Sequence, residues 1–257
     1  MKIQQIDETV LRPEWFKDND RSAEDNLGPH VLIIDNFYED PDYVRDLALT
    51  QNYVQYLPPL AEQVGESQAA KAEFQNMQGR WHATALLRFR GRPVKNPVAG
   101  FRYNEDSLRV RLETVLNESI CQDAWASAGD GWNGAFHLRS GGFAPVSVHH
   151  HYKEGDIPSR GWSGVVYLSP NPPENTGTSI WLDRETGKCI AAKGALFSKD
   201  AARFECVQEI ENKYNRLVLF RENVLHKAEN GFCDGCSARL TQTFFFRCKQ
   251  KSGDVCS

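Results

Sequence analysis

Apolar positions follow two different patterns along the chain, and the change comes near Gly134. Before it, Val31 to Asn36 (VLIIDN) is a short apolar run closed by turn-forming residues, which predicts a buried strand. Pro41 then opens a helix with Asp40 as its N-cap and Val44, Leu47 and Ala48 at helical spacing. Asn104 to Asn117 predicts a second helix, with Leu108, Leu112, Val115 and Leu116 on one apolar face and Val110 off it. Between these lies Leu57 to Gly100, where turns alternate with a polar stretch at Glu62 to Gln78, read as a loop and a marginal helix. Met1 to Gly28 is polar and rich in Asp and Glu, a loosely packed surface arm.

From Gly134 onward short strands replace helices, separated by Gly, Pro and Asn. The runs are Ala135 to Leu138, Phe143 to Tyr152, Ser163 to Leu168, Thr178 to Leu182, Arg216 to Phe220 and Arg239 to Arg247. Strands in succession after helices predict a mainly β, α+β fold: a sandwich or barrel braced by N-terminal helices. The expected division is one domain over 1–257, with an arm at 1–28, a helical support at 29–133 and the β-core at 134–248.

Composition narrows the class. A chain of 257 residues fits one large domain, and 40% hydrophobic with 25% charged residues is ordinary for a globular protein. The net charge of −4 gives no electrostatic footprint for nucleic acid. No apolar run approaches the roughly 18 residues of a membrane span, and Met1 to Asp20 is too polar for a signal peptide. The 7 cysteines lack the density of a secreted disulfide scaffold, so a reducing cytoplasm is expected.

The candidate chemistry lies in the histidines. His149, His150 and His151 are consecutive in a strand-like run, so His149 and His151 project together and His150 points away. His226 stands far downstream, at the end of a second short strand after the apolar run Leu217 to Phe220. Neutral imidazoles suit divalent iron, copper, zinc and nickel, and one strand holds two of them at nearly fixed separation. Each of the four could otherwise be an ordinary surface or hydrogen-bonded histidine.

Thirteen residues beyond His226, the strand RLTQTFFF places Arg239, Thr241, Thr243 and Phe245 on one face. An arginine inside an apolar barrel is costly unless it meets an anion. Its planar fork fits a carboxylate, and Thr241 adds a hydroxyl on the same side. A dicarboxylate with one end on the metal and the other on Arg239 would satisfy both sites; the alternative is an Arg exposed on the strand's outer face.

Three stretches then carry a family likeness: VHHHYKEGDIPSRGWSGVVYLSP, GTSIWLDRETG and NRLVLFRENVLHKAENGFCDGCSARLTQTFFF. Together with VLIIDNFYEDPDYVRDLALTQ they resemble the iron(II)/2-oxoglutarate-dependent oxygenase superfamily, closest to its prolyl-4-hydroxylase-like branch, over most of Val31 to Arg247. The resemblance implies a double-stranded β-helix, or jelly roll. It implies His149 and His226 as ligands of Fe(II), Arg239 as the anchor of 2-oxoglutarate, and Tyr167 lining the cosubstrate pocket.

One position departs from that pattern: His151 stands where the family has Asp. Imidazole in place of carboxylate raises the charge of the site by one and removes a hard oxygen donor. His151 as third ligand would give a three-histidine centre like those of some cupin-type thiol dioxygenases. Glu154 or Asp156 could instead supply the carboxylate, or the position could stay open as in halogenases, which carry a small residue there. The first is favoured. A partial likeness to cupin motifs, with His149-x-His151 before Glu154 and His226 before Asn230, points to the same architecture.

Other residues invite weaker readings. Cys233 and Cys236 form a CxxC that, with Cys248 and Cys256, could bind zinc, act as a redox or gating pair, or be ordinary thiols. Trp162, Trp181, Phe197, Phe220 and Phe244 to Phe246 could shape a substrate pocket, although aromatics in β-strands are more often plain core. Arg102 and Arg139 are candidates for recognising an acidic substrate group. The function expected is therefore an Fe(II)/2-oxoglutarate oxygenase using dioxygen on a small molecule, amino acid or peptide. A three-histidine dioxygenase without 2-oxoglutarate and a non-catalytic metal-binding jelly roll are the alternatives.

Overall fold

The computed structural model describes residues 2–5, 13–16, 30–51, 53–55, 81–83, 88–89, 92–93, 101–127, 132–139, 147–151, 161–191, 201–232 and 238–249. The first half carries strands β1 (Lys2–Gln5), β2 (Val31–Asp35), β3 (Val54–Gln55), β4 (Trp81–Ala83), β5 (Arg88–Phe89) and β6 (Arg92–Pro93). It also carries helices α1 (Pro41–Leu49), α2 (Asp106–Leu116) and α3 (Gln122–Ser127). The second half is strands: β7 (Phe136–Arg139), β8 (Gly161–Tyr167), β9 (Thr178–Asp183), β10 (Phe204–Ile210), β11 (Leu217–Arg221), β12 (His226–Ala228) and β13 (Arg239–Arg247).

Both main helices begin and face as their sequences predict. Asp40 caps α1 by accepting the Tyr43 amide at 2.9 Å, and Val44 and Ala48 turn inward. In α2, Leu108 and Leu112 are buried while Val110 is exposed, and Asn117 closes the helix in the left-handed region at φ 52°.

Antiparallel pairing builds a large sheet in the order β1-β2-β11-β8-β13-β7-β4-β3 and a small one in the order β10-β9-β12. The large sheet is covered on both faces. Leu217 and Leu219, Trp162 and Val166, and Phe136, Leu240, Phe244 and Phe246 pack with Val44, Ala48, Leu108, Leu112 and Trp125 of the helices. The Trp125 ring stacks on Phe244 at 5.9 Å. The intervening positions Tyr167, Val218 and Phe220 pack instead against Ile180 and Ile210 of the small sheet. Alternation along each strand thus separates a helix-facing core from an inner space between the sheets.

Several expectations are corrected. Within the polar N-terminal stretch, Lys2–Gln5 pairs with β2 as the edge of the large sheet, and Phe16 joins the inner core. The polar stretch 62–78 lies outside the described residues. Within the run expected from Phe143 to Tyr152, residues 147–151 make only an isolated bridge, His149 to His226, and 143–146 lie outside the described residues. His226 begins its strand rather than ending it. Strand β10 was not anticipated: only Ile210 of it is buried, and a register shift between Cys206 and Gln208 breaks its alternation.

Trp162, Phe244 and Phe246 belong to the helix-side core rather than to a substrate pocket. Trp181 is bonded to Ser179 through its indole N–H at 2.7 Å with Lys227 over its ring, and Phe197 lies outside the described residues. Cys189, Cys206 and Cys248 are free, whereas Cys121 is disulfide-bonded, at odds with cysteines kept reduced throughout. Cys233, Cys236 and Cys256 fall outside the described residues, and the zinc and redox readings with them. Among the described residues no helix is long and apolar enough to cross a membrane.

Candidate functional site

His149 and His226 exchange a pair of backbone hydrogen bonds, each 2.9 Å, which brings the histidine segment alongside β12. The His151 amide donates to the Glu222 carbonyl at 2.8 Å and fixes the next inward-facing position. His149, His151 and His226 therefore meet, with one ligating nitrogen from each lying within 4.8 Å of the others. His226 is buried and the other two are half-buried. His150 is buried outside this cluster, as strand alternation requires.

Second contacts decide which nitrogens are available. The Nδ1 of His149 lies 2.9 Å from the Ser147 carbonyl and that of His226 lies 2.9 Å from the Val224 carbonyl. A carbonyl only accepts, so both rings carry the proton on Nδ1 and present the Nε2 lone pair. The Nε2 atoms of His226 and His151 are 3.1 Å apart, the spacing of roughly 3 Å expected for neighbouring nitrogens on an ion about 2.1 Å from each. Burial pushes the His149 and His226 pKa values down, with neighbouring histidines adding to the effect at His226. Neutral rings with converging lone pairs are the form a divalent cation binds. The donor set therefore fits a first-row metal ion.

Phe220 and Phe245 wall the cluster, their ring centroids 4.1 Å from His226 and 5.1 Å from His151. Glu154 and Asp156, the alternative carboxylate donors, lie outside the described residues.

Arg239 lies at the other end of the inner space. Arg239 is 5% exposed and faces inward with Thr241. Its Nε donates to the Thr176 carbonyl at 2.6 Å and a terminal nitrogen to the Gly177 carbonyl at 3.1 Å. Tyr167, paired with Thr241 across β8 and β13, lies under the guanidinium at 5.6 Å and donates its hydroxyl to Thr178 at 2.7 Å. Gly177 is required where it stands, because a Cβ there would lie 1.9 Å from the Ile210 carbonyl oxygen.

Strand β7 adds two inward residues. His137 sits opposite Thr241, and Arg139 sits opposite Arg239; both are 5% exposed. The Thr243 hydroxyl donates to the Trp132 carbonyl at 3.1 Å, so it accepts from the His137 Nε2–H at 3.0 Å. Burial, with the Arg239 charge behind it, pushes the His137 pKa down to about 3. Arg102 instead gives its guanidinium to the Ala126 carbonyl at 2.9 Å. His137 was missed and Arg139 undervalued, although the alternation of Phe136, His137, Leu138 and Arg139 already sets the two polar residues on one face.

No protein-family model and no curated protein matches the sequence. Solved structures are similar at low identity. HygX from Streptomyces hygroscopicus, with nickel, 2-oxoglutarate and hygromycin B bound, is 13% identical over 85% of this chain and 82% of its own, at a TM-score of 0.41. A prolyl hydroxylase from Trichoplax adhaerens, in complex with a hypoxia inducible factor peptide, is 13% identical over 85% and 83%, at 0.41. The epimerase SnoN from nogalamycin biosynthesis, with Fe3+, alpha ketoglutarate and nogalamycin RO, is 10% identical over 85% and 78%, at 0.44.

Proposed function

We propose that the protein is an iron(II)- and 2-oxoglutarate-dependent oxygenase built on a double-stranded β-helix, hydroxylating a small molecule, amino acid or peptide side chain. One observation carries the reading: three histidine nitrogens converge at one end of the inner space while a buried arginine faces its other end. His226 pairs with Ile180, and the Gly177 carbonyl that receives Arg239 is three residues back. That separation is about 10 Å along the strand. After the reach of metal and guanidinium is subtracted, it suits a short dicarboxylate. The sequence likeness in the histidine, GTSIW and RLTQTFFF stretches supports the same assignment.

His149, His151 and His226 would hold the iron. Iron and 2-oxoglutarate, when bound, supply oxygen activation coupled to decarboxylation of the cosubstrate to succinate. Arg239 orients the distal carboxylate through charge-assisted hydrogen bonds, with Thr241 and Tyr167 beside it. The Ser147 and Val224 carbonyls hold two imidazoles in the ligating tautomer. Phe220 and Phe245 exclude water from the metal side.

Succinate release from anaerobically iron-loaded protein, started by oxygen, tests the assignment. Release that disappears in Arg239→Ala is the expected result; metal binding without oxygen uptake would show a non-catalytic jelly roll. A second reading has one observation in its favour. The cluster holds three imidazoles and no carboxylate among the described residues, as in a three-histidine dioxygenase. Oxygen uptake indifferent to 2-oxoglutarate would establish that alternative.

A further inference from the structure

Strand β8 sends Trp162 and Val166 into the helix-side core and packs Val165 and Tyr167 against the inner one. By the same alternation Ser163 faces the inner space. It is 1% exposed, and its hydroxyl has no hydrogen-bond partner among the described residues. A buried hydroxyl in that state is costly, so a ligand that accepts from it would remove the cost. The register says where such a ligand would sit. Ser163 lies between Phe220 of β11 and Phe245 of β13. These are the two rings that wall the histidine cluster, Phe220 against His226 and Phe245 against His151. One small polar side chain between two large apolar ones thus faces the pair of imidazoles whose Nε2 atoms are 3.1 Å apart.

The arginine end is out of its reach. Tyr167, under the Arg239 guanidinium, is four residues farther along β8. That is about 13 Å of strand, more than the span of about 10 Å between the histidine cluster and the carbonyl that receives Arg239. The carboxylate held by Arg239 therefore cannot be the acceptor for Ser163.

We propose that the Ser163 hydroxyl donates a hydrogen bond to a small anionic ligand carried by the three-histidine metal centre, and so sets the affinity of that centre for exchangeable ligands other than the cosubstrate. The inference rests on the metal reading above. The hydroxyl donates and does not coordinate, so removing it should alter ligand affinity and leave metal affinity unchanged.

The test uses full-length protein loaded with Co(II), followed by visible absorption as azide is added, with 2-oxoglutarate titrated separately. Ser163→Ala and Ser163→Val are expected to weaken azide roughly tenfold. Ser163→Thr, which matches Val in volume and keeps the hydroxyl, is expected to stay within about threefold of wild type. Affinities for Co(II) and 2-oxoglutarate should change less than about twofold in all three. Metal-free Ser163→Ala should melt no lower than wild type, because it loses a hydroxyl without a partner. Unchanged azide affinity in the Ala and Val variants, or equal loss in Thr and Val, would overturn the proposal. So would a matching loss of 2-oxoglutarate affinity, a Co(II) spectrum indifferent to azide in wild type, or a clearly lower melting temperature in metal-free Ser163→Ala. Failure of wild-type protein to take up Co(II) would overturn the metal reading, and this inference with it.

Discussion

Stability should depend on pH through one buried histidine outside the three-histidine cluster. His137 donates from Nε2 to Thr243, stacks on Trp132 at 5.1 Å and 13°, and lies within reach of the Arg239 charge. Burial disfavours the charged imidazole, and protonation would in addition place a second cation beside a buried guanidinium, so its pKa falls from 6.5 to about 3. The unfolded chain binds this proton near pH 6.5 and the folded one does not, so His137 stabilises the fold at neutral pH and loses that contribution as pH falls. Each unit below about 6 costs roughly 1.4 kcal/mol, and the loss between pH 7 and pH 4 sums to about 3 kcal/mol. Urea denaturation of wild type and His137→Gln at pH 7, 6, 5 and 4 measures it. Subtracting the two curves removes every other titrating group. Whatever the baseline cost of the variant, its deficit should shrink by about 3 kcal/mol across that range. A deficit constant within about 0.5 kcal/mol would mean that His137 accepts a proton in the folded state, and the burial argument would fail.

Three further outcomes are expected. Asp35 accepts from Arg216 at 2.6 Å and Lys213 at 2.8 Å, and its pKa is lowered to about 2 chiefly by Arg216. Asp35→Asn should therefore cost about 2 kcal/mol at pH 7 in chemical denaturation, and the difference from wild type should vanish as pH falls from about 4 through 2. Gly177→Ala drives a methyl into the Ile210 carbonyl and displaces the carbonyl that receives Arg239. A loss of about 2 kcal/mol or more by thermal melting is expected, with weakened 2-oxoglutarate binding; an unchanged melting temperature would show that β9 and β10 separate freely. His226→Ala should abolish high-affinity Co(II) binding in a spectroscopic titration, and His151→Ala should weaken it at least tenfold. Unaltered affinity in His151→Ala would remove it from the ligand set.

Much of this arrangement was legible because it is encoded by near neighbours. Asp40 caps α1, and the helical spacing of Leu108 and Leu112 buries one side of α2. Alternation in RLTQTFFF sends Arg239 and Thr241 one way and Leu240 and Phe244 the other. The same alternation in HHH separates His150 from its neighbours. Strand β10 was not legible, since a partly exposed edge strand with a register shift has no apolar period to read. Nor was it evident that His149 and His226 join by a lone bridge rather than a ladder, because that depends on a partner 77 residues away.

By itself, then, the sequence determined the two main helices, most of the strands after Gly134 with their faces, and a short set of candidate residues for a metal and an anion. Only the tertiary structure decided that His151 meets His226 at 3.1 Å, that the polar face of β7 is the inner one, and that Arg139 stands across from Arg239. The reason is physical. Capping and side-chain period are set within a few residues of backbone, whereas register joins segments far apart in the chain and is fixed by packing both faces of the large sheet at once.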